Sequence, residues 1–227
     1  MEKNIKKKEL KVIRDFKQIP FGNNFILSGL NLASTGFLTI NEINVSENLI
    51  FWPDGIFAHR YEALLNKMPG RDIIKYILIP ESLDTLHVIG NLSDHSKVFL
   101  ELIYPKKKVK ISALPYGEID EIKKKLPKIY ENELCFITLP TPKQEQIANY
   151  YITNEKFKII CIGGSINIAS GEEKVCPKFI EKFGLEFLWR LRTDTSRRFK
   201  RLLISFSLYI KSELNGSFKK FKVKIIS

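Results

Sequence analysis

Short apolar runs recur along the chain, and stretches with helical spacing separate them. Five runs read as strands: "NLIFW" (48–52), "TLHVIG" (85–90), "VKISA" (109–113), "LCFITLP" (134–140) and "FKIICIGG" (157–164). Their near-continuous apolar character fits a sheet covered on both faces. Helical patterns lie between them. "SDHSKVFLELIY" offers Ser93 or Asp94 as an N-cap, "EIDEIKKKL" and "PKQEQIANYYIT" behave alike, and Ile56, Ala58, Tyr61, Leu64 and Leu65 keep helical spacing after the first run. Strand alternating with helix predicts an α/β fold: a Rossmann-like, parallel-rich sheet with helices on both faces.

After Gly171 the pattern changes. Residues 176–212 have helical periodicity, broken at Gly184 and with Thr193 or Asp194 as a cap. Phe179, Phe183, Phe187 and Leu188 form one apolar stripe there, with arginines projecting elsewhere. The last segment, "FKKFKVKII", alternates apolar residues with lysine, and reads as an edge strand, a tail or a membrane-surface patch. Three segments are therefore expected: a basic amino-terminal stretch (1–20), an α/β core (21–172) and a basic helical appendage (173–227). A chain ending after Leu191 is expected to stay folded.

Charge sharpens this division. Of a formal +12, the stretch from Lys178 onward carries +9, with thirteen Lys or Arg against four acids. Such asymmetry calls for an anionic partner, whether nucleic acid, anionic lipid or a diphosphate. No apolar run is long enough to span a bilayer, and the basic start "MEKNIKKKELK" has no apolar stretch behind it to make a secretory signal. Cys135, Cys161 and Cys176 lack C-x-x-C spacing, and His59, His87 and His95 lack ligand spacing, so neither a disulfide framework nor a His/Cys metal site is expected. That cysteine usage suits a reducing cytosol.

Four places carry candidate chemistry. Pro53-Asp54-Gly55 ends the first run: it is either a turn or a carboxylate held where open α/β sheets bind substrates. Gly90-Asn91 joins a strand to a helix whose amino terminus suits a phosphate, or is an ordinary tight turn. Thr141-Pro142-Lys143-Gln144-Glu145 reads as a capping box, with Thr141 as N-cap, Pro142 at N1 and Gln144 at N3, or as a polar loop reading a ligand. "CIGGSINIASG" (161–171) is a glycine-rich phosphate loop or a close packing of backbone. Neither the dinucleotide nor the P-loop fingerprint is present.

Taken in order, these pieces resemble the WecG/TagA/CpsF family of bacterial glycosyltransferases, from about Asn31 to Leu203 and most densely after Leu134. The family's strand-terminal D-G motif is matched by Pro53-Asp54-Gly55. Its R-x-x-G-x-D is matched by Lys67-Met68-Pro69-Gly70-Arg71-Asp72, its strand ending in Gly by "LHVIG", and its P-K-Q-E by Pro142 to Glu145. Gly164 to Gly171 matches a further motif loosely, with Asn167 in place of Asp. Gly184 to Leu191 matches G-L-E-W-x-x-R-L, followed by Arg197, Arg198 and Arg201. Lys67 stands where the family has Arg, which keeps the charge and loses the bidentate fork. Gly29-Leu30-Asn31 stands for T-x-N and lacks the hydroxyl.

The resemblance implies an inverting transfer from a UDP-sugar, of N-acetylmannosamine type or glucose, to a polyprenyl-diphosphate-linked sugar in surface polysaccharide synthesis. It makes Asp54 the catalytic base. Binding would fall to Asn31, Gly55, Lys67, Asp72, Gly90, Asn91, Lys143, Gln144, Glu145, Arg190, Arg197, Arg198 and Arg201. It places the protein in the cytoplasm, peripheral on the inner face of the membrane against an anionic surface. No cofactor or metal is expected, no nucleic acid either, and self-association is left open. Two competitors stand beside this reading: a catalytically weak relative serving a membrane synthase complex, and a nucleic-acid-binding protein using the basic arm.

Overall fold

The computed structural model of the chain describes residues 7–55, 65–153, 156–177, 179–180, 189 and 195–226. Eight strands form one sheet, and every pairing in it is parallel. The strands are β1 (Lys8–Val12), β2 (Phe25–Gly29), β3 (Leu49–Trp52), β4 (Thr85–Ile89), β5 (Lys108–Ser112), β6 (Glu133–Ile137), β7 (Lys158–Cys161) and β8 (Phe221–Ile225). Their order across the sheet is β5-β4-β6-β7-β2-β3-β1-β8. The five apolar runs became β3 to β7. Each of β2, β3, β4 and β6 is buried at every position, as strands sandwiched between helices must be.

The helices are α1 (Leu32–Thr39), α2 (Gly70–Tyr76), α3 (Asp94–Ile103), α4 (Ile119–Lys123), α5 (Lys143–Tyr150), α6 (Ser165–Ala169) and α7 (Thr195–Leu214). Two apolar clusters, one on each face of the sheet, show how they are shared out. Leu38 of α1, Ile122 of α4, and Ile147 and Ala148 of α5 pack with Ile89, Cys135, Ile137 and Ile159. Ile73 and Ile74 of α2, Leu100 of α3, and Ile166 and Ala169 of α6 pack with Leu86, Val88, Phe136 and Ile160. Successive strand residues thus feed opposite clusters, the period of two that pleating imposes. Burying each large side chain in these clusters contributes about 1.5–3 kcal/mol.

The connections set up the site. From β4 the chain crosses by α3 to β5 on one side, while from β6 it crosses by α5 to β7 on the other. Chains leaving neighbouring strands in opposite directions open a crevice at the carboxyl ends of the strands. In-register pairs align those ends: Ile89 with Ile137, Ile137 with Cys161, Cys161 with Ser28, and Gly29 with Trp52.

Both terminal segments send a strand into this sheet. β1 lies between β3 and β8, and β8 pairs with β1 along its whole length, so the alternating "FKVKI" is an edge strand. α7 packs on α1, with Leu208 against Gly36 and the Ser212 hydroxyl bonded to that of Thr39. Phe218 and Phe221, just beyond α7, are buried. The expectation that the chain could end at Leu191 therefore fails, because removal would strip an edge strand, a docked helix and two buried aromatic side chains. The expected helix over Ile56 to Leu64, the apolar stripe at Phe183, Phe187 and Leu188, and the caps at Thr193 or Asp194 lie outside the described residues.

Candidate active site at the carboxyl edge of the sheet

Asp54 follows directly on β3, after Pro53 has ended it, and its half-buried carboxylate is held from two sides. The Asn31 Nδ2 donates to Oδ2 at 3.2 Å, and the Gly70 backbone N–H donates to Oδ1 at 3.1 Å. Local sequence explains both. Asn31 is the N-cap of α1, and its Oδ1 accepts from the backbone N–H groups of Ala33 and Ser34 at 3.0 and 3.1 Å. The cap orients the amide so that its NH2 faces Asp54. Gly70 opens α2, where backbone N–H groups lack partners within the helix. The Met68 N–H to Pro53 carbonyl bond, 2.7 Å, docks the segment before α2 on the end of β3. At Gly29, the last residue of β2, a Cβ would lie 2.9 Å from the Asp54 Cβ, so only glycine lets the carboxylate settle there.

A second group gathers two strands away. Glu145 is 1% exposed. Its Oε1 accepts from Ser28 Oγ at 2.7 Å, Gln144 Nε2 at 2.9 Å and Thr141 Oγ1 at 3.1 Å. Gln144 Nε2 also reaches Thr141 Oγ1 at 3.0 Å, and its Oε1 accepts the Gly163 N–H at 3.0 Å. Burial pushes the Glu145 carboxyl above the ordinary glutamate range, against the pull of its donors. The capping box expected here does not form. Pro142, not Thr141, precedes the first turn of α5 and makes no side-chain cap. The Thr141 hydroxyl is instead taken up by the side chains of Gln144 and Glu145. Lys143 Nζ donates to the Gly117 carbonyl at 2.5 Å, tying α5 to the loop after β5.

Gly90 has φ of +128° and packs against the Thr138 side chain, so the backbone alone demands glycine there, while Asn91 is exposed. The helix that follows has a side-chain occupant at its start: Glu172 accepts from Ser93 Oγ at 2.6 Å and Ser96 Oγ at 2.8 Å. Those two bonds hold its carboxyl below the usual range. Lys67 and Asp72 are half-buried on either side of Gly70, and Gly55, beside Asp54, is half-buried too. Arg201 is exposed on α7. Arg190, and the side chains of Arg197 and Arg198, lie outside the described residues.

Among the described residues, the ligand atoms of His87, Glu133 and Cys135 come within 4.8 Å of one another. Their chemistry is that of a closed polar brace. His87 Nδ1 bonds Glu133 at 2.9 Å and Nε2 bonds Ser112 Oγ at 2.8 Å, while Lys110 Nζ meets the other Glu133 oxygen at 3.0 Å. An ammonium already occupies the place beside the carboxylate that a cation would need.

Sequence motifs pointed to Asp54 and Asn31, which the structure brings into contact, and to Gln144 and Glu145, which it buries together. They missed Gly70 as a donor, Gly29 as the floor beneath Asp54, and Ser28, Thr141 and Gly163 as partners of the buried pair. The signal for Gly70 was present in the K-x-x-G-x-D spacing. Ser28 had none, since β2 was not read as a strand.

A family model described as "Glycosyl transferase WecG/TagA/CpsF family" matches residues 103–220, just over half of the chain. The chain is also similar to Staphylococcus aureus proteins named N-acetylglucosaminyldiphosphoundecaprenol N-acetyl-beta-D-mannosaminyltransferase. Those of strains NCTC 8325 / PS 47, COL and MSSA476 are each 24% identical over 212 residues, covering 85% of this chain and 80% of the relative. No solved structure matches the chain.

Proposed function

The chain belongs to the WecG/TagA/CpsF family of glycosyltransferases, and from that premise we propose that it moves a sugar from a UDP-sugar to a polyprenyl-diphosphate-linked sugar with inversion. The acceptor follows the name of the Staphylococcus aureus relatives. The donor class and the inversion extend the family resemblance. One observation carries the reading: a carboxylate, Asp54, is clamped by Asn31 and Gly70 at the carboxyl edge of a parallel sheet.

An acceptor hydroxyl is a poor nucleophile at neutral pH. Asp54 takes its proton as the oxygen bonds to the anomeric carbon, and the bond from that carbon to the diphosphate breaks on the opposite face. The electron pair leaves with UDP. Asn31 and Gly70 both donate to the Asp54 oxygens, so the carboxylate is oriented before substrate arrives. The negative charge on UDP calls for cations, and the packing of α7 supports its arginines in that role. Gly36 meets Ser205 and Leu208, and Thr39 meets Ser212, so α1 and α7 run parallel. The first turns of α7, with Arg197, Arg198 and Arg201, therefore lie towards the Asn31 end of α1. No helix among the described residues is long and apolar enough to cross a membrane. A lipid-linked acceptor would thus be met at a membrane surface.

The test is transfer by the purified chain from a panel of UDP-sugars to a short-chain lipid-diphosphate sugar, with the anomer read by NMR. Asp54→Asn keeps the size and the turn and removes the base. Turnover should fall about 10²–10⁴-fold, with UDP binding little changed. Near-normal turnover by a folded Asp54→Asn protein would refute the assignment.

A further inference from the structure

Glu133 and Glu145 are both buried acids, but they are solvated differently. Glu133 meets Lys110 and His87. Among the described residues, Glu145 meets two hydroxyls and one amide, all on Oε1, and its Oε2 is buried with no partner. A buried carboxyl oxygen without a donor is unfavourable, and such a group in a native fold requires an explanation. Solubility and core packing supply none, since a leucine would fill the same space. The contacts supply one. Ser28 lies in β2 just before its last residue, Gly29, on which Asp54 rests; Thr141 and Gln144 follow β6; and Gln144 Oε1 accepts from the N–H of Gly163 after β7. One oxygen thereby joins the ends of three neighbouring strands.

We propose that Glu145 is a positioning residue: it locks the Gln144 amide, and through it the Gly163 turn, at the spacing from Asp54 that the donor nucleotide requires. Glu145 is too deeply buried to touch substrate itself and acts through Gln144. The inference rests on the transferase reading, because donor binding is what the spacing serves.

Substitutions at Glu145, Gln144 and Thr141 test it. Glu145→Gln retains an accepting oxygen, whereas Glu145→Leu removes it at similar size. The donor KM should stay within about threefold of wild type in the glutamine variant and rise at least tenfold in the leucine variant, with kcat changing less. Combining Glu145→Leu with Gln144→Ala should do no more harm than the worse single change, as expected of residues acting through one contact. A leucine variant that melts earlier but keeps the wild-type donor KM would overturn the inference and leave Glu145 a structural residue. Should that variant not fold, Thr141→Val removes the shared hydroxyl at constant size. A donor KM raised at least threefold then supports the inference, and an unchanged one overturns it. A readout independent of turnover is exchange of the Gln144 side-chain NH2 protons, expected to quicken at least tenfold in the leucine variant and to stay slow in the glutamine variant. Unchanged exchange in both would sink the positioning role. Absence of transfer by the wild-type chain from every UDP-sugar, with the exchange result as expected, would sink the transferase reading alone.

Discussion

Asn31 caps a helix with one end of its amide and holds Asp54 with the other. Both tasks fall to one residue because the N-cap position directs the side-chain oxygen at the N2 and N3 backbone N–H groups and leaves the NH2 pointing outward. Asn31→Asp separates the tasks. Aspartate caps as well as asparagine does, so the melting temperature should change little. Its second oxygen would face Asp54 at the distance where Nδ2 now sits, 3.2 Å. Two carboxylates that close cannot both ionise freely, and the pair retains a proton to higher pH. The acid limb of the rate profile should move up by roughly a pH unit or more, so transfer should fall most at pH values near that limb. A pH–rate profile matching wild type would show that Asn31 serves only as a cap. Asp54 was legible at a strand end from its Pro-Asp-Gly turn chemistry, whereas Asn31 was marked only by the family resemblance, and its capping role emerged from the structure. The burial of Glu145 was not legible, because its partners come from β2 and β7, remote in the chain.

At the scale of elements, the brace between β4, β5 and β6 makes stability depend on pH. His87 is fully buried and burial pushes its pKa below the ordinary 6.5, which the Glu133 hydrogen bond only partly offsets. Burial raises Glu133, yet the bonds from Lys110 and His87 outweigh it and hold its carboxyl below the ordinary 4.5. Both groups therefore bind protons less readily folded than unfolded, so their stabilisation is present at high pH and lost as pH falls. The loss should begin below about pH 6.5 with His87 and continue below about 4.5 with Glu133. Glu145 has the opposite sign: its raised pKa favours the fold at low pH and loses that contribution as pH rises through its folded value. Differential scanning calorimetry from pH 7.5 to 5 should show a falling melting temperature, each kcal/mol reading as about 2–4 °C at this size. His87→Gln, which keeps a donor and cannot titrate, should flatten that slope. A slope unchanged by the substitution would place the acid sensitivity elsewhere. The strands of this brace were readable as apolar runs, but the polar side chains within them carry no local mark of their partners.

For the whole molecule, the outer face of α7 is the feature that calls for a partner. Ser205 and Ser212 turn inward to α1, leaving Phe199, Leu203, Ile204, Phe206, Ile210 and Leu214 exposed among Lys200, Arg201 and Lys211. Apolar side chains framed by cations suit an anionic leaflet, each Lys or Arg near the surface contributing roughly 1 kcal/mol. Because α7 leads into β8, point substitutions test this better than truncation. Phe206→Glu with Ile210→Glu should weaken binding to phosphatidylglycerol-containing vesicles at least tenfold. The melting temperature should stay within about 2 °C, since both sites are exposed. Raised salt should weaken binding of the unaltered chain too. Equal vesicle binding by variant and parent would remove the membrane from this face.

By itself the sequence determined the α/β class, five of the eight strands (β3 to β7), the helices α3, α4 and α5, and Asp54 at a strand end. These follow from periodicity and turn chemistry, which act over a few neighbouring residues. Tertiary structure alone decided the rest. β1, "KELKV", is too polar to announce a strand, and becomes one because β3 and β8 flank it. The edge strand β8 had three local readings, and pairing with β1 selected one. Thr141 carried a good capping signature, yet Gln144 and Glu145 took its hydroxyl, because a fully buried carboxyl oxygen needs donors more than a half-buried helix end needs a cap. Where a group's energy depends on water and near neighbours, sequence is enough; where it depends on burial against remote strands, only the assembled sheet decides.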